Sequence, residues 1–294
     1  MRRVLLSILL LALTGPLTAQ EVKLPNKDGS VKFAVVGDTG TGGSDQYAVG
    51  KQIVNFRAKF PFDFAIMLGD NMYGGQGGPK DFNKKFEAPY KPLLDAKVKF
   101  YAALGNHDNP NQRSYTGFNM NGERYYSFKP SLNAGVRFFA LDSNYMDPKQ
   151  IEWFEKELAG SGSDWKIAFF HHPPYSSGGA HGSDTKLRQI VEPIFIRHGV
   201  NVVFAGHEHF YERIKPQNGI YYFISGSGGK LRKGDVKKDS SLTAKAYDDD
   251  MSFMLIEIDD KQMHFQVVNR TGETVDSGII TNQRQSSKAA SSSQ

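Results

Sequence analysis

The chain of 294 residues contains no cysteine. Disulfide bonds and thiol catalysis are therefore excluded, and any metal site must be built from nitrogen and oxygen ligands. Basic runs with interleaved aromatic residues, which are typical of nucleic-acid-binding proteins, are also missing, so we expect no nucleic-acid partner. The sequence shows no internal repeat and no linker between two cores, which favours a single domain.

The charge balance of the sequence is close to even. The 36 Lys and Arg residues and the 31 Asp and Glu residues give a formal net charge of +5. Such a weak excess is compatible with anionic substrates but does not require them. Apolar residues make up 39% of the chain and aromatic residues 12%, which suffices for a substantial core and excludes disorder for most of the chain.

The N-terminal residues have the pattern of a secretory signal peptide. Arg2 and Arg3 precede an apolar stretch from Val4 to Leu13, which Gly15-Pro16 terminates. This stretch has about half the length that a membrane-spanning helix requires. The alternative, a buried N-terminal helix, fits the flanking residues less well. We therefore predict a signal peptide over residues 1–19 and an exported protein, secreted or periplasmic, that has no membrane association once the peptide is removed.

The rest of the chain alternates strand-like and helical patterns up to about residue 209 and then continues as mostly antiparallel strands. Ser44 is expected to cap the first helix, whereas Pro89 and Pro92 are expected to break the second. This order favours an α/β sandwich with two packed sheets and helices outside. The predicted helices cover about residues 44–59, 82–94, 147–158 and 184–198. The predicted strands cover about residues 31–36, 64–68, 98–104, 125–128, 136–141, 165–170, 201–205, 220–224, 252–258, 263–268 and 274–279.

Five of the predicted strands end at residues that can bind a metal through oxygen or imidazole nitrogen. If these strands share a sheet edge, their side chains gather at one rim, where open α/β sheets place their ligands. Each residue by itself is more often a turn residue or a hydrogen-bonded histidine, so the prediction of a metal site depends on their joint occurrence. The residues are Asp38, Asp70, Asn106, His171 and the pair His207 and His209.

The strand ends belong to five short blocks, which are Asp38-Thr39-Gly40, Gly69-Asp70-Asn71-Met72-Tyr73, Gly105-Asn106-His107-Asp108, Ala168-Phe169-Phe170-His171 and Gly206-His207-Glu208-His209. The order of these blocks resembles that of the calcineurin-like metallophosphoesterases and, more narrowly, of the purple acid phosphatases of the compact, tartrate-resistant type. Gly40 stands where the wider superfamily usually has histidine, and Tyr73 has no counterpart there. His171 and His172 are both candidates in the fourth block, and we choose His171 because Pro173 then follows it at the spacing of the family.

The resemblance implies a site for two metal ions that Asp70 bridges. A carboxylate suits this role because it offers two oxygens and a negative charge. The phenol of Tyr73, with an ordinary pKa of about 10, ionises at neutral pH only against a strong Lewis acid, so we expect Fe(III) in its site. The neutral ligands of the other site suit Fe(II), Zn(II) or Mn(II), among which the sequence does not choose. The implied ligands are Asp38, Asp70, Tyr73 and His209 for Fe(III), and Asp70, Asn106, His171 and His207 for the second ion.

The same resemblance implies an acid phosphatase that hydrolyses phosphate monoesters. We expect in-line attack of a metal-bound hydroxide on phosphorus, without a phosphoenzyme. The leaving alkoxide then needs a proton, which a histidine can supply at acidic pH. His107 and His181 are the candidate catalytic residues, although His181 could equally be an exposed loop residue. The expected substrate is a phosphorylated small molecule or a phosphoprotein.

The implied fold is a four-layer α/β/β/α sandwich with two packed mixed sheets, the metallophosphoesterase fold. We place a single catalytic domain at residues 20–285, with its motifs at 31–213 and antiparallel strands at 220–280, followed by a disordered tail at 286–294. A phosphodiesterase or nucleotide pyrophosphatase on the same dinuclear core is the main alternative, and a non-catalytic metal-binding protein is a remote one. The glycine-rich residues 226–229 lack the Lys-Ser/Thr of a P-loop, and we interpret them as a turn near the rim.

Overall fold

The structure, a computed structural model, describes residues 21–75, 77–131, 134–162, 164–259 and 261–282. The predicted signal peptide and the predicted C-terminal tail lie outside these residues. Within them, no helix combines the length and the apolar character that crossing a membrane requires.

The described residues form thirteen strands and five α-helices. A π-helical turn at Asn83–Glu87 joins two of the helices, and 3₁₀ turns lie at Pro110–Ser114 and Thr116–Phe118. In chain order the elements are β1 (Val31–Val36), α1 (Ser44–Arg57), β2 (Phe64–Leu68), α2 (Pro79–Phe82), α3 (Ala88–Asp95), β3 (Lys99–Ala103), β4 (Tyr126–Phe128), β5 (Val136–Ala140), α4 (Pro148–Ala159), β6 (Trp165–Phe170), α5 (Thr185–His198), β7 (Val202–Ala205), β8 (Tyr211–Ile214), β9 (Tyr221–Ser225), β10 (Thr243–Tyr247), β11 (Ser252–Ile258), β12 (Gln262–Asn269) and β13 (Thr274–Thr281).

The strands form two mixed sheets. The first has six strands in the order β13-β12-β11-β1-β2-β3, in which β1, β2 and β3 run parallel and β11 to β13 are antiparallel to their neighbours. The second has seven strands in the order β10-β8-β9-β7-β6-β5-β4, in which β5, β6, β7 and β9 run parallel. The short connections β1–α1–β2 and β6–α5–β7 are typical of α/β units with parallel strands.

Three apolar clusters fill the space between the layers. The cluster between the sheets includes Phe33, whose ring stacks on Phe64 at 5.1 Å and meets Phe138 of the second sheet edge-on at 5.2 Å between ring centroids. Helices α1 and α3 cover the outer face of the first sheet, and α4 and α5 cover that of the second. The predicted four-layer α/β/β/α sandwich with two packed mixed sheets is confirmed.

Several local predictions were wrong in detail. Ser44 is the first residue of α1 and does not cap it, because the N-cap is Gly43 and makes no side-chain cap hydrogen bond. The segment predicted as one broken helix contains α2, the π-helical turn and α3, and Pro89 is tolerated because it lies in the first turn of α3, where a missing N–H costs little. Strands β8 and β10 were not predicted, and β9 pairs parallel to β7 within the predominantly antiparallel last third.

Candidate metal centre

The predicted ligands lie at the ends of strands from both sheets, not at the edge of a single sheet. Asp38, Asp70 and Asn106 follow β1, β2 and β3 of the first sheet, and His171 and His207 follow β6 and β7 of the second. Asp38, Asp70 and His207 have positive φ angles of 56°, 50° and 69°. Non-glycine residues adopt this conformation uncommonly, Asp, Asn and His more readily than most, and only where the surrounding structure holds it. The chain therefore turns sharply where each of these side chains enters the site.

His171 is the buried centre of one half of the site. Its Nδ1–H donates a hydrogen bond to the carbonyl oxygen of Leu68 at 2.9 Å, so in the neutral ring Nε2 carries a free lone pair. This Nε2 lies 3.0 Å from Oδ1 of Asn106, 3.5 Å from Oδ1 of Asp70 and 3.1 Å from Nδ1 of His207. A nitrogen lone pair that faces two oxygen acceptors makes no hydrogen bond with them, whereas a cation between these atoms satisfies all three.

Asp38 is the centre of the other half. The hydroxyl of Tyr73 lies 3.1 Å from Oδ1 of Asp38 and 3.2 Å from Nε2 of His209. The same Nε2 is 3.5 Å from Oδ1 of Asp38. The halves adjoin, because ligand atoms of Asp38, Asp70 and His171 all lie within 4.8 Å of one another. All seven predicted ligand residues therefore converge on one region.

The electrostatics of the site suit cations. Burial and the neighbouring Asp70 raise the pKa of Asp38 well above its usual value, and burial together with these carboxylates raises the pKa of Tyr73. Burial lowers the pKa of His207 to about 2 and that of His209 to about 4, which holds both imidazoles in the neutral form that binds metals. Two buried carboxylates and a phenol beside neutral imidazoles form a donor set that positive charge stabilises. The residues present therefore fit a pair of metal ions.

Asp108 fixes the ligand loops to each other. Its carboxylate accepts hydrogen bonds from the backbone N–H groups of Asn71, Met72 and Gly105 at 3.1, 2.9 and 2.8 Å and from the side chain of Gln112 at 3.0 Å. Burial raises the pKa of Asp108 to about 7, although these N–H donors lower it. Asp108 belongs to the third sequence block, but its role could not be predicted because its partners become neighbours only in the folded protein.

Gly40 and Tyr73 are the two residues that distinguish this sequence from the wider superfamily, and the structure shows why position 40 is a glycine. Its N–H donates to the carbonyl oxygen of Asp70 at 3.2 Å, and its carbonyl oxygen accepts from the N–H of Tyr73 at 2.9 Å. A Cβ atom at position 40 would lie 2.1 Å from the carbonyl oxygen of Asn71, so no side chain fits there. Gly40 and Tyr73 therefore belong to one structural unit, in which the loop after β1 is hydrogen-bonded to the loop after β2.

The two candidate catalytic histidines both lie beside ligands. The ring of His107 is 5.1 Å from that of Tyr73, and the ring of His181 is 4.3 Å from that of His207. Nη2 of Arg232 lies 3.3 Å from Nε2 of His181, which must accept this hydrogen bond because guanidinium only donates. Burial and Arg232 lower the pKa of His181. His181 is therefore an exposed residue of the site wall, and both effects favour its neutral form.

The structure also distinguishes the two adjacent histidines of the fourth block. His171 is fully buried against Asp70 and Asn106, as described above, whereas His172 turns its Nδ1 to the hydroxyl of Ser143 at 2.8 Å. The ring of His172 is nevertheless 4.6 Å from that of His207, so it lines the site. This geometry favours His171 as the ligand.

Comparison with known proteins agrees with this description. Residues 31–211, more than half of the chain, match the family model described as calcineurin-like phosphoesterase. Purple acid phosphatase 7 of Arabidopsis thaliana is 26% identical over 283 aligned positions, which cover 84% of this chain and 85% of the relative. Tartrate-resistant acid phosphatase type 5 of Homo sapiens is 25% identical over 311 positions, which cover 89% of this chain and 95% of the relative.

Solved structures share the fold. Purple acid phosphatase PPD1 from yellow lupin superposes with a TM-score of 0.70 at 20% identity, covering 88% of this chain and 55% of that protein. GAP50, described as the anchor in the inner membrane complex of Plasmodium, superposes with a TM-score of 0.73 at 20% identity, covering 86% of this chain and 89% of that protein. At these identities the likeness concerns the fold alone. The family match over residues 31–211 shows that the chain belongs to the calcineurin-like phosphoesterases, and purple acid phosphatases are among its relatives.

Proposed function

We propose that this protein is a metal-dependent acid phosphatase that hydrolyses phosphate monoesters. The observation that carries the proposal is a cluster of metal-ligating atoms that bear no proton. Nε2 of His171 lies 3.0 Å from Oδ1 of Asn106 and 3.5 Å from Oδ1 of Asp70. Relatives named as purple and tartrate-resistant acid phosphatases support the narrower assignment within the family. The family match supports a phosphoesterase with a dinuclear centre, and the choice of monoesters and of acidic pH is our proposal.

Seven residues would hold the two metal ions. Tyr73, with its raised pKa, would ionise only against a strong Lewis acid, which supports Fe(III) in its site and leaves Fe(II), Zn(II) or Mn(II) for the other. When bound, such a pair of ions supplies Lewis-acid activation of water and neutralises charge on the phosphoryl group. The proposed ligands are Asp38, Asp70, Tyr73 and His209 for the first ion, and Asp70, Asn106, His171 and His207 for the second.

The proton for the leaving group comes from His107 in this proposal. His107 is exposed beside the ring of Tyr73, where a bound ester can reach it. His181 is less suited to give a proton, because its Nε2 accepts a hydrogen bond from Arg232. We assign His181 to orientation of the substrate within the wall of the site and His107 to general acid catalysis.

The substrate class and the location follow from general features. Asn106 and His107 are exposed, so the phosphoryl group of a small molecule or of a phosphoprotein side chain can enter from solvent. The basic and apolar N-terminal segment supports export, to the periplasm or the medium. The proposal includes no nucleic-acid partner and no membrane association after removal of the signal peptide.

Turnover of matched esters by protein of known metal content tests the proposal. We expect faster hydrolysis of p-nitrophenyl phosphate than of bis(p-nitrophenyl) phosphate at acidic pH. Asp38→Asn should lose metal and activity together, whereas Asp28→Asn, at an exposed position, should lose neither. A preference for the diester would replace the monoesterase assignment by the phosphodiesterase alternative, and absence of turnover in fully loaded protein would favour a non-catalytic metal-binding protein.

A further inference from the structure

Lys230 places a positive charge at the rim of the metal centre. Its Nζ lies 3.5 Å from the centroid of the ring of Tyr73. The side chain is only partly exposed, and it forms no ion pair with a carboxylate of any residue that the structure describes. Its charge acts at a distance on the carboxylate of Asp38 and partly opposes the rise of that group's pKa. A partly desolvated ammonium group that contacts an aromatic ring, but no carboxylate of the described residues, favours an anionic ligand at this position.

The backbone before Lys230 fixes where this charge lies. Residues 226–229, interpreted from the sequence as a turn near the rim, lie directly on the first ligand loop. The N–H of Gly228 donates to the carbonyl oxygen of Gly37 at 3.0 Å, and a Cβ atom at Gly229 would lie 2.2 Å from the carbonyl oxygen of Thr39. On the other side of Lys230, the N–H of Arg232 donates to the carbonyl oxygen of His209 at 2.9 Å. Lys230 is therefore held between two backbone attachments to ligand loops.

Arg232 and Lys233 differ from Lys230 in their partners. The guanidinium of Arg232 contacts Glu208 at 3.5 Å, Asp235 at 3.7 Å and the ring of His181 at 3.3 Å. Its charge is thus shared among groups of the site wall. Lys233 is exposed and lies 3.5 Å from Asp249, an exposed carboxylate. Lys230 is the cation of this segment that is directed at the site and has no described carboxylate partner.

The chemistry of phosphate esters suggests a role for the ammonium group of Lys230 in substrate binding. A monoester dianion has three charged non-bridging oxygens, and ions held by the proposed ligands would neutralise part of this charge. An oxygen that points away from the ions would still need a donor, whereas a diester has only two non-bridging oxygens and carries a second, uncharged ester group. We propose that Lys230 is a specificity-determining residue that binds the outer oxygen of a phosphate monoester dianion and so favours monoesters over diesters. The inference rests on the proposed function.

The test compares Lys230→Met, which keeps the apolar stem and removes the charge, with Lys230→Arg and with Lys233→Met. Binding of inorganic phosphate is measured by calorimetry on protein of verified metal content, and kcat/KM is measured for p-nitrophenyl phosphate and its bis ester. We expect Lys230→Met to lose about 10-fold or more in phosphate affinity and in monoester kcat/KM, with diester kcat/KM within about twofold. Lys230→Arg should retain most of both, and Lys233→Met should match the wild type.

Two outcomes would overturn the inference. Unchanged phosphate affinity in Lys230→Met would show that the ammonium group does not touch the anion. Equal losses for monoester and diester would show that it acts through Tyr73 and not through the substrate. If the wild type hydrolyses neither ester, the proposed function fails, yet calorimetry with inorganic phosphate still decides the role of Lys230 because binding requires no turnover.

Discussion

Both buried carboxylates of the metal centre accept a hydrogen bond from the backbone, and Asp38 divides its two oxygens between the backbone and the site. Oδ2 of Asp38 accepts the N–H of His207 at 2.9 Å, which leaves Oδ1 facing Tyr73 and His209. In Asp70, the oxygen that faces His171, Oδ1, also accepts the N–H of His107 at 3.0 Å. Such backbone donors stabilise the charged form of a carboxylate and fix its direction before any ligand arrives. The orientation of single side chains therefore determines which metal binds and which group transfers the proton.

Tyr73→Phe tests the identity of the first ion. The substitution removes only the hydroxyl that lies between Asp38 and His209. We expect a visible charge-transfer band in the iron-loaded wild type and its loss in the variant, together with lower iron retention, as measured by absorption spectroscopy and metal analysis. Tyr47→Phe removes a hydroxyl that donates to the carbonyl oxygen of Lys84, away from the proposed ligands; it is the control and should keep the band. A band that survives in Tyr73→Phe would contradict the ligand role of this phenol.

His107→Ala tests the source of the proton. A general acid contributes most when the leaving group is a poor one, so we expect kcat to fall about 100-fold or more with an alkyl phosphate and much less with p-nitrophenyl phosphate. His181→Ala should affect both esters similarly, because Nε2 of His181 accepts a hydrogen bond from Arg232. Full turnover of the alkyl ester by both variants would show that neither histidine supplies the proton.

At the scale of elements, the strands that lead to the ligands could be predicted because each is a continuous apolar run that ends abruptly at a polar residue. In β2 all five residues are buried, and the chain leaves the strand at Gly69-Asp70. Strand β10 could not be predicted in this way, because Thr243–Tyr247 is a polar segment at the edge of its sheet and buries none of its residues fully. Strand β8 is a short run that carries the charged Glu212 and Arg213 between apolar residues, which hides it from a search for apolar runs.

The unpredicted strand β8 supports the loop that carries His181. The side chain of Glu212 is fully buried, and its Oε2 accepts the N–H of Ser177 at 2.9 Å at the base of this loop. Its other oxygen accepts a hydrogen bond from the hydroxyl of Thr243 on β10. One carboxylate thus connects two strands and the site wall.

Glu212→Ala should loosen this wall without loss of metal, because Glu212 touches no proposed ligand. We expect faster amide hydrogen exchange over residues 176–183 and a free energy of unfolding lower by about 2–3 kcal/mol, since buried donors lose a charged partner. Hydrogen exchange and denaturant unfolding measure the two effects. Glu155→Ala, which removes a surface ion pair with Arg197, should cost less than about 1 kcal/mol. Unchanged exchange at residues 176–183 would contradict the supporting role of Glu212.

At the scale of the whole molecule, the two sheets each supply part of the site. Asp38, Asp70, Tyr73 and Asn106 follow strands of the first sheet, and the three histidines follow strands of the second. These residues could be identified from the sequence, but their division between two sheets could not, because a linear pattern does not say which sheet a strand joins. The position of Lys230 could not be predicted either, since Tyr73, which it contacts, and Thr39, against which Gly229 packs, are distant in the sequence.

Phe33→Ala tests whether packing between the sheets sets the geometry of the site. Phe33 is fully buried, and its ring contacts Phe64 of the first sheet and Phe138 and Phe204 of the second. We expect a loss of about 3–5 kcal/mol in the free energy of unfolding and weaker metal binding, because the two groups of ligands are held less firmly. Ile279→Ala, at a side chain 59% exposed on β13, should change stability by less than about 0.5 kcal/mol. Unaltered metal affinity in Phe33→Ala would mean that the ligand loops hold their positions independently of the core.

The most direct measurement is a titration of the metal-free protein with metal ions while hydrolysis of p-nitrophenyl phosphate is followed at acidic pH. The convergence of seven ligand side chains from two sheets predicts that activity rises with added metal and reaches its plateau at two ions per chain, and that Asp70→Ala never reaches it. Full activity in metal-free protein, or a plateau at one ion per chain, would contradict a dinuclear phosphatase site at the junction of the sheets.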